Sequence, residues 1–250
     1  MFYILDMRKW KQWSIIIGLA FFTALFIWAE TSGTTSVFSN TEPVAVTKGN
    51  ADVPNIALTF NISWGEERVH DILDKLKEND AQATFFLSGE WAERHPDIVE
   101  KISEHNHEIG MLGYRYKSYL DQKAEQVRKD ILHAKEVFSK LGYDQVKFIR
   151  TPSGHFNEEI IELAESQGLE VIHWNIDTND WTNPGTEEIV NTVMKETDNG
   201  DIVLFHASDA VKQTEKALTT ILPALSEKGF SFVPISELIS EADAEITLVE

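Results

Sequence analysis

The sequence predicts an α/β domain of parallel strands, a distorted (β/α)7 barrel of the TIM type, carried behind a membrane-spanning segment. Three observations predict it. Between residues 55 and 240, short apolar runs alternate seven times with amphipathic helical stretches, the pattern of a parallel sheet with helices outside. The apolar runs end in polar clusters, as barrel strands do where their C-terminal ends form a mouth. A chain of 250 residues with 42 % hydrophobic and 10 % aromatic content supplies the core of one such domain.

The elements follow in order. Residues 1–12 form a basic tail, with Arg8, Lys9 and Lys11. Residues 13–29 are 17 residues without a charge, edged by Trp13 and Trp28. As a helix they span about 25 Å, enough for a bilayer core with interfacial help from the two tryptophans. The basic flank predicts that the N-terminus stays in the cytoplasm and the rest crosses. A cleaved signal peptide is the rival reading, but no clean small-x-small site follows the run, which favours an uncleaved anchor. Residues 30–54 are rich in Ser, Thr, Gly, Asn and Pro and read as a linker, with a short edge strand at 44–46.

The barrel is expected over 55–240. The first strand covers 56–61, and Val69, Ile72, Leu73 and Leu76 mark the face of its helix. The second strand covers 83–87; its helix carries Ile98, Val99 and Ile102, with Pro96 in the first turn, where a missing N–H costs nothing. After a third strand at 107–110, apolar residues at Leu120, Ala124, Val127, Ile131, Ala134, Phe138 and Leu141 predict one long helix stopped by Gly142. The fourth strand is 146–150, followed by a helix capped by Asn157 and ended by Gly168. The fifth is 170–175, with Thr186 capping the helix of Ile189, Val190 and Val193. The sixth is 201–206, with a helix through Ala217, Ile221 and Leu225 to Gly229. A seventh strand at 230–233 and a short helix opened by Ser236 complete the domain, and residues 241–250 read as a loose acidic tail. No internal repeat is present.

Composition narrows the function. The net charge of −19 argues against nucleic acid, which needs clustered Lys and Arg, and against anionic lipid heads meeting the folded domain. The chain has no cysteine, so it has neither disulfides nor thiolate sites. The strand ends carry the candidate chemistry. The fourth ends in Arg150-Thr-Pro-Ser-Gly154, the fifth runs into Asp177-Thr-Asn-Asp-Trp181, and the sixth ends Leu204-Phe-His206. A barrel gathers these at one rim, where a His beside a carboxylate serves as a general acid and an Arg holds an oxygen. The bland alternative is an ion pair of Arg150 with Asp177 or Asp180 that only closes the barrel.

With those motifs in order, the chain resembles the polysaccharide deacetylases of the NodB-homology type, carbohydrate esterase family 4. It looks closest to the sporulation-associated, membrane-anchored PdaB-type subgroup of spore-forming bacteria. The resemblance spans about residues 54–240 and implies the NodB deacetylase barrel. It also implies removal of N-acetyl groups from sugars of cell-wall or spore peptidoglycan, by hydrolysis of a non-peptide C–N bond. By it, His206 is the general acid, Asp180 tunes that His, and Arg150 holds the catalytic base, with Asp177 on the same catalytic side. Trp181, Leu204 and Ser153 belong to the sugar groove and acetyl pocket.

The first two motifs depart from the family pattern. Asn61, in Thr59-Phe-Asn-Ile-Ser-Trp-Gly65, takes the position of the base and cannot accept a proton as Asp does. Ile62 or Ser63, according to register, takes the position of a metal ligand, and Leu112 and Tyr116 take those of two His ligands. The family uses a divalent metal such as Zn²⁺, which asks for about three protein ligands; these side chains do not supply them, and no cofactor is expected. The other histidines fall away from the rim, except His155 in the loop after the fourth strand. Two readings follow: a hydrolase with a degenerate metal site, its metal-dependent activity weak or lost, or a non-catalytic protein that binds peptidoglycan or another N-acetylated glycan through the same groove. Either is membrane-anchored with the barrel outside the cytoplasm, on the cell-wall side or in the forespore intermembrane space.

Overall fold

β2 (Asn55–Ile62) is the spine of the barrel, buried along nearly its whole length. The computed structural model describes residues 44–240 and 246–247. Successive side chains of a strand point to opposite faces. Ile56, Leu58, Phe60 and Ile62 face the outer layer, where α1 (Arg68–Glu78) packs Val69, Ile72, Leu73 and Leu76 against the sheet. Ala57, Thr59 and Asn61 face the barrel interior.

β2 pairs in parallel with β3 (Thr84–Leu87) on one side and β8 (Ile202–His206) on the other. In register, Phe60 stacks between Phe85 and Phe205 at 5.0 and 5.5 Å, so three rings cross the outer face of the central strands. The sheet continues from β3 through β4 (Glu108–Met111) and β5 (Phe148–Ile149) to β6 (Glu170–Val171), and from β8 to β7 (Ile176–Asp177), every pairing parallel. The outer helices are α2 (Gly89–Ala92), α3 (Pro96–Glu104), α4 (Ala124–Lys140), α5 (Glu158–Glu165), α6 (Thr186–Glu196) and α7 (Thr214–Glu227). A second apolar cluster, including Ala57, Phe86, Leu112, Phe148, Ile172 and Ile202, fills the interior. It is joined from below by Ile235 and Leu238 of α8 (Ile235–Ser240), whose first N–H groups bond Thr84 Oγ1 and Glu108 Oε2.

Several expectations are corrected. The fifth strand is not continuous over 170–175. It breaks into β6, which pairs with β5, and β7, which pairs with β8, so the two ends of the sheet lie on one stretch of chain. In the gap, the His173 and Trp174 rings stack at 3.8 Å, and Asn175 holds β8 through its backbone N–H, which donates to Ile202 O at 3.2 Å, and through side-chain bonds to Ile202 N and Asp201. Ala45–Val46 form the short edge strand expected at 44–46, and the chain from there to residue 50 enters this seam. His173 N donates to Val46 O, and Lys48 pairs with buried Asp201 at 2.8 Å. The seventh strand, β9 (Ser231–Phe232), meets only the first two residues of β2, because β8 occupies the rest of that edge. The barrel wall is therefore not a regular (β/α)7 ring.

Leu120 does not join the stripe of α4. It lies in a separate 3-10 turn at 49 % exposure, and the helix starts at Ala124. Thr186 is the first helical residue of α6, not its cap; Gly185, at φ 116, precedes it. In the tail, β10 (Ile246–Thr247) pairs antiparallel with β1 (Ala45–Val46). Asn157 does cap α5, accepting from Ile160 N at 3.0 Å. The anchor expected at 13–29 lies outside the described residues; among the described residues no helix is long and apolar enough to cross a membrane.

Candidate active site

The C-terminal ends of the strands surround a cleft of about 530 Å³, lined by Asn61, Ser63, Tyr116, Ser153, His155, Trp174, Asp177, Trp181, Leu204, His206 and Ser208. Its floor is built on Arg150. The sequence suggests this residue stands at the rim, but its side chain runs inward and is wholly buried. Nε donates to Ile172 O at 3.2 Å and Nη2 to His173 O at 2.8 Å. Nη1 donates to Thr59 Oγ1 at 2.9 Å and to Asn61 Oδ1 at 3.0 Å. The guanidinium lies 4.1 Å from the centroid of the Phe86 ring and 5.2 Å from that of Trp174. Burial lowers its pKa to about 9, against smaller raising effects from Tyr116 and Asp177, so it stays charged at neutral pH. Among the described residues no carboxylate pairs with it, which disposes of the ion pair with Asp177 or Asp180.

The opposite wall carries His206 and Asp180. Register sets His206 beside Asn61 across the β2–β8 pair. His206 Nδ1 lies 2.8 Å from Asp180 Oδ1, and Asp180 Oδ2 accepts from His206 N at 2.8 Å and from Thr214 Oγ1 at 2.7 Å. The Asp180 side chain is 1 % exposed and that of His206 16 %, so the carboxylate sits behind the ring. A His held through Nδ1 leaves Nε2 as the ring nitrogen that can exchange a proton with a ligand. Thr214 has no signature in the sequence; it reaches Asp180 because the loop after β8 turns back to start α7 under the 180–182 turn.

Two aspartates anchor the loops of the mouth. Asp209, three residues beyond His206, accepts from the backbone N–H groups of Glu66, Glu67 and Arg68 at 2.9 to 3.0 Å. It thereby caps α1 from another loop. Burial raises its pKa, but these three donors and the Arg68 charge outweigh that and leave it lowered. Gly65, at φ 85, has no room for a Cβ, which would lie 2.4 Å from Asp209 Cγ. Asp130 of α4 likewise accepts from Tyr114 N, Arg115 N and Tyr119 Oη, fixing the loop that carries Tyr116. The Asp209 clamp joins residues 141 to 143 apart and the Asp130 clamp residues 11 to 16 apart, and neither follows a helix or strand period.

Ser153, Asp177, Trp181 and Leu204 all reach the cleft, as does His155. Trp181 is 57 % exposed and forms an open wall; Leu204 is buried behind it. Asp177 Oδ1 accepts from Asn179 N in its own turn. Gly154 lies against Trp174, where a Cβ would come within 2.4 Å of the ring, and its φ of 71 turns the Ser153 loop.

The four residues that the family resemblance sets at metal-ligand positions separate. Ile62 faces the helix layer and is fully buried there, so Ser63 is the one at the mouth. Leu112 is fully buried in the interior cluster with Phe86 and Ile172. Tyr116 lines the cleft at 42 % exposure. Two hydroxyls and an amide remain, a donor set that does not fit a Zn²⁺-type ion. Among the described residues, no three His, Asp or Glu side chains converge on a common point.

A parallel barrel with a buried Arg beneath an amide and an Asp-held His across the mouth defines the class: an α/β barrel hydrolase scaffold. Residues 48–172 match the family model described as polysaccharide deacetylase. The chain is 36 % identical to a peptidoglycan-N-acetylglucosamine deacetylase of Bacillus cereus, over 75 % of this chain and 91 % of that one. Among solved structures, the Bc1960 peptidoglycan N-acetylglucosamine deacetylase in complex with an N-hydroxybenzamide superposes with a TM-score of 0.77 at 31 % identity, covering 84 % of this chain and 100 % of that one. A carbohydrate esterase family 4 pseudoenzyme from Bacillus anthracis gives 0.75 at 28 % identity, covering 82 % and 72 %. The chain belongs to the polysaccharide deacetylase family.

Proposed function

We propose that this protein recognises N-acetylated glycan of the peptidoglycan class in the barrel-mouth cleft, with metal-dependent deacetylation weak or lost. The observation that carries it is the burial of Ile62 and Leu112 in two apolar layers beside an intact His206–Asp180 pair. The walls suited to a sugar ring and its acetyl group, Trp181 and Leu204, stay in the cleft, while the groups that would activate water are absent from their family positions. The glycan class is supported by the relatives, which carry the name peptidoglycan-N-acetylglucosamine deacetylase. The anchor at 13–29 keeps the barrel outside the cytoplasm, on the cell-wall side or in the forespore intermembrane space, as expected of a PdaB-type sporulation protein.

A second reading, slow hydrolysis by a metal-free route, is favoured by the completeness of the acid side, where His206, Asp180 and Thr214 form a bonded chain. In it His206 Nε2 protonates the leaving sugar amine. Amine release from an N-acetylglucosamine oligomer, with metal analysis of the same sample and peptidoglycan pull-down, decides. We expect glycan capture, no stoichiometric metal, and amine release no greater than that of His206→Ala. One ion per chain overturns the proposal, and His206-dependent release establishes the second reading. Asn61→Asp alone gives no metal-dependent activity.

A further inference from the structure

We infer that Asn61 turns its amide NH₂ toward the mouth of the cleft and donates to the acetyl carbonyl oxygen of the bound sugar. This rests on the glycan reading above and names the group that is read. The orientation of the amide is decided by its neighbour. A guanidinium has five N–H donors and no acceptor, so the atom of Asn61 that faces Arg150 Nη1 at 3.0 Å has to be the oxygen. Flipping the amide would set N–H against N–H in a buried site and leave both without an acceptor.

Arg150 cannot swing away to permit a flip. Two carbonyl oxygens, Ile172 O and His173 O, hold its other nitrogens, and Thr59 Oγ1, which also donates to Val203 O at 2.8 Å, accepts from the same Nη1. The Phe86 ring closes over the guanidinium. Nδ2 of Asn61 makes no hydrogen bond among the described residues, and the side chain lines the cleft beside Leu204 and Trp174. The cleft thus offers a fixed donor next to apolar walls. An acetyl group is the complement, an acceptor oxygen beside a methyl. A free sugar ammonium offers only N–H groups to the same donor. The position where the family pattern has a proton-accepting carboxylate has become a donor that selects the acetylated form.

The test is calorimetric binding of two chitin-type tetramers, one fully N-acetylated and one fully deacetylated, to the purified full chain and to Asn61→Asp. Asp keeps the acceptor for Arg150 and removes the donor. We expect the wild type to prefer the acetylated tetramer, and Asn61→Asp to lose about tenfold in that affinity while gaining for the ammonium form. A wild type that does not discriminate, or a preference unchanged in Asn61→Asp, overturns the inference and leaves the glycan reading standing. A wild type that binds neither tetramer sinks the glycan reading, and this inference with it.

Discussion

Replacing Asp209 is the sharpest test of how the mouth is held together. Its carboxylate accepts three backbone N–H groups at the start of α1, from a loop about 140 residues away in sequence. Removing a side-chain cap costs about 0.5–2 kcal/mol, and a negative charge at a helix N-terminus adds about 0.3–1 kcal/mol. Asp209→Ala should therefore destabilise the barrel by about 1–3 kcal/mol, and Asp209→Asn, which keeps an acceptor and loses the charge, by less. Urea unfolding measures both, and in a domain of this size each kcal/mol moves Tm by about 2–4 °C. The pH dependence has a definite sign. Because the folded carboxyl pKa is lowered, its stabilisation is complete above the unfolded value of about 3.9 and is lost as pH falls through the folded value. The gap between wild type and Asp209→Asn should stay constant from pH 7 to about 5 and narrow below about 4. A loss under about 0.5 kcal/mol in Asp209→Ala, or a gap that widens in acid, refutes the clamp.

Three further outcomes are expected. Leu112→His introduces a polar ring into the interior cluster and leaves a poor fit; unfolding should show a loss of about 2–5 kcal/mol, and titration with Zn²⁺ no stoichiometric binding. Thr214→Val deprives buried Asp180 of one donor and should cost about 1–3 kcal/mol by denaturant melt; equal stability would mean that the bond to Oδ2 is dispensable. His107 is buried, both its ring nitrogens lack hydrogen-bond partners among the described residues, and its pKa is lowered to about 4 by burial and by His105. The unfolded chain takes up that proton below about 6.5 and the fold does not, so His107 erodes stability as pH drops from 6.5 toward 4. His107→Leu should gain about 2 kcal/mol over wild type at pH 5 relative to pH 7, and an identical pH profile for the two proteins would rule this out.

The strand–helix rhythm and its apolar positions were legible because burial imposes periods of two and 3.6 on the sequence: the face of α1, the stop at Gly142 and the cap at Asn157 all stand where the pattern put them. The polar segments after the fourth, fifth and sixth strands were legible as well, and they bring Ser153, Asp177, Trp181 and His206 to the cleft. The break in the fifth strand was not legible. Residues 170–175 have strand composition throughout, and what interrupts them is Val46 and Asp201 arriving from elsewhere.

Asn61 shows the same division. From the sequence, only the family resemblance sets it at the position of a base, and residue chemistry adds that an amide does not take up a proton as a carboxylate does. Whether it points into the mouth while Ile62 turns to the helices depends on the pleat of β2 and its register against β8. That its amide spends the oxygen inward and leaves the NH₂ for the cleft depends on a guanidinium 89 residues away, brought to 3.0 Å by barrel closure. Local sequence carries residue type and burial period; the direction of a hydrogen bond belongs to the partner, and the partner is chosen by the fold.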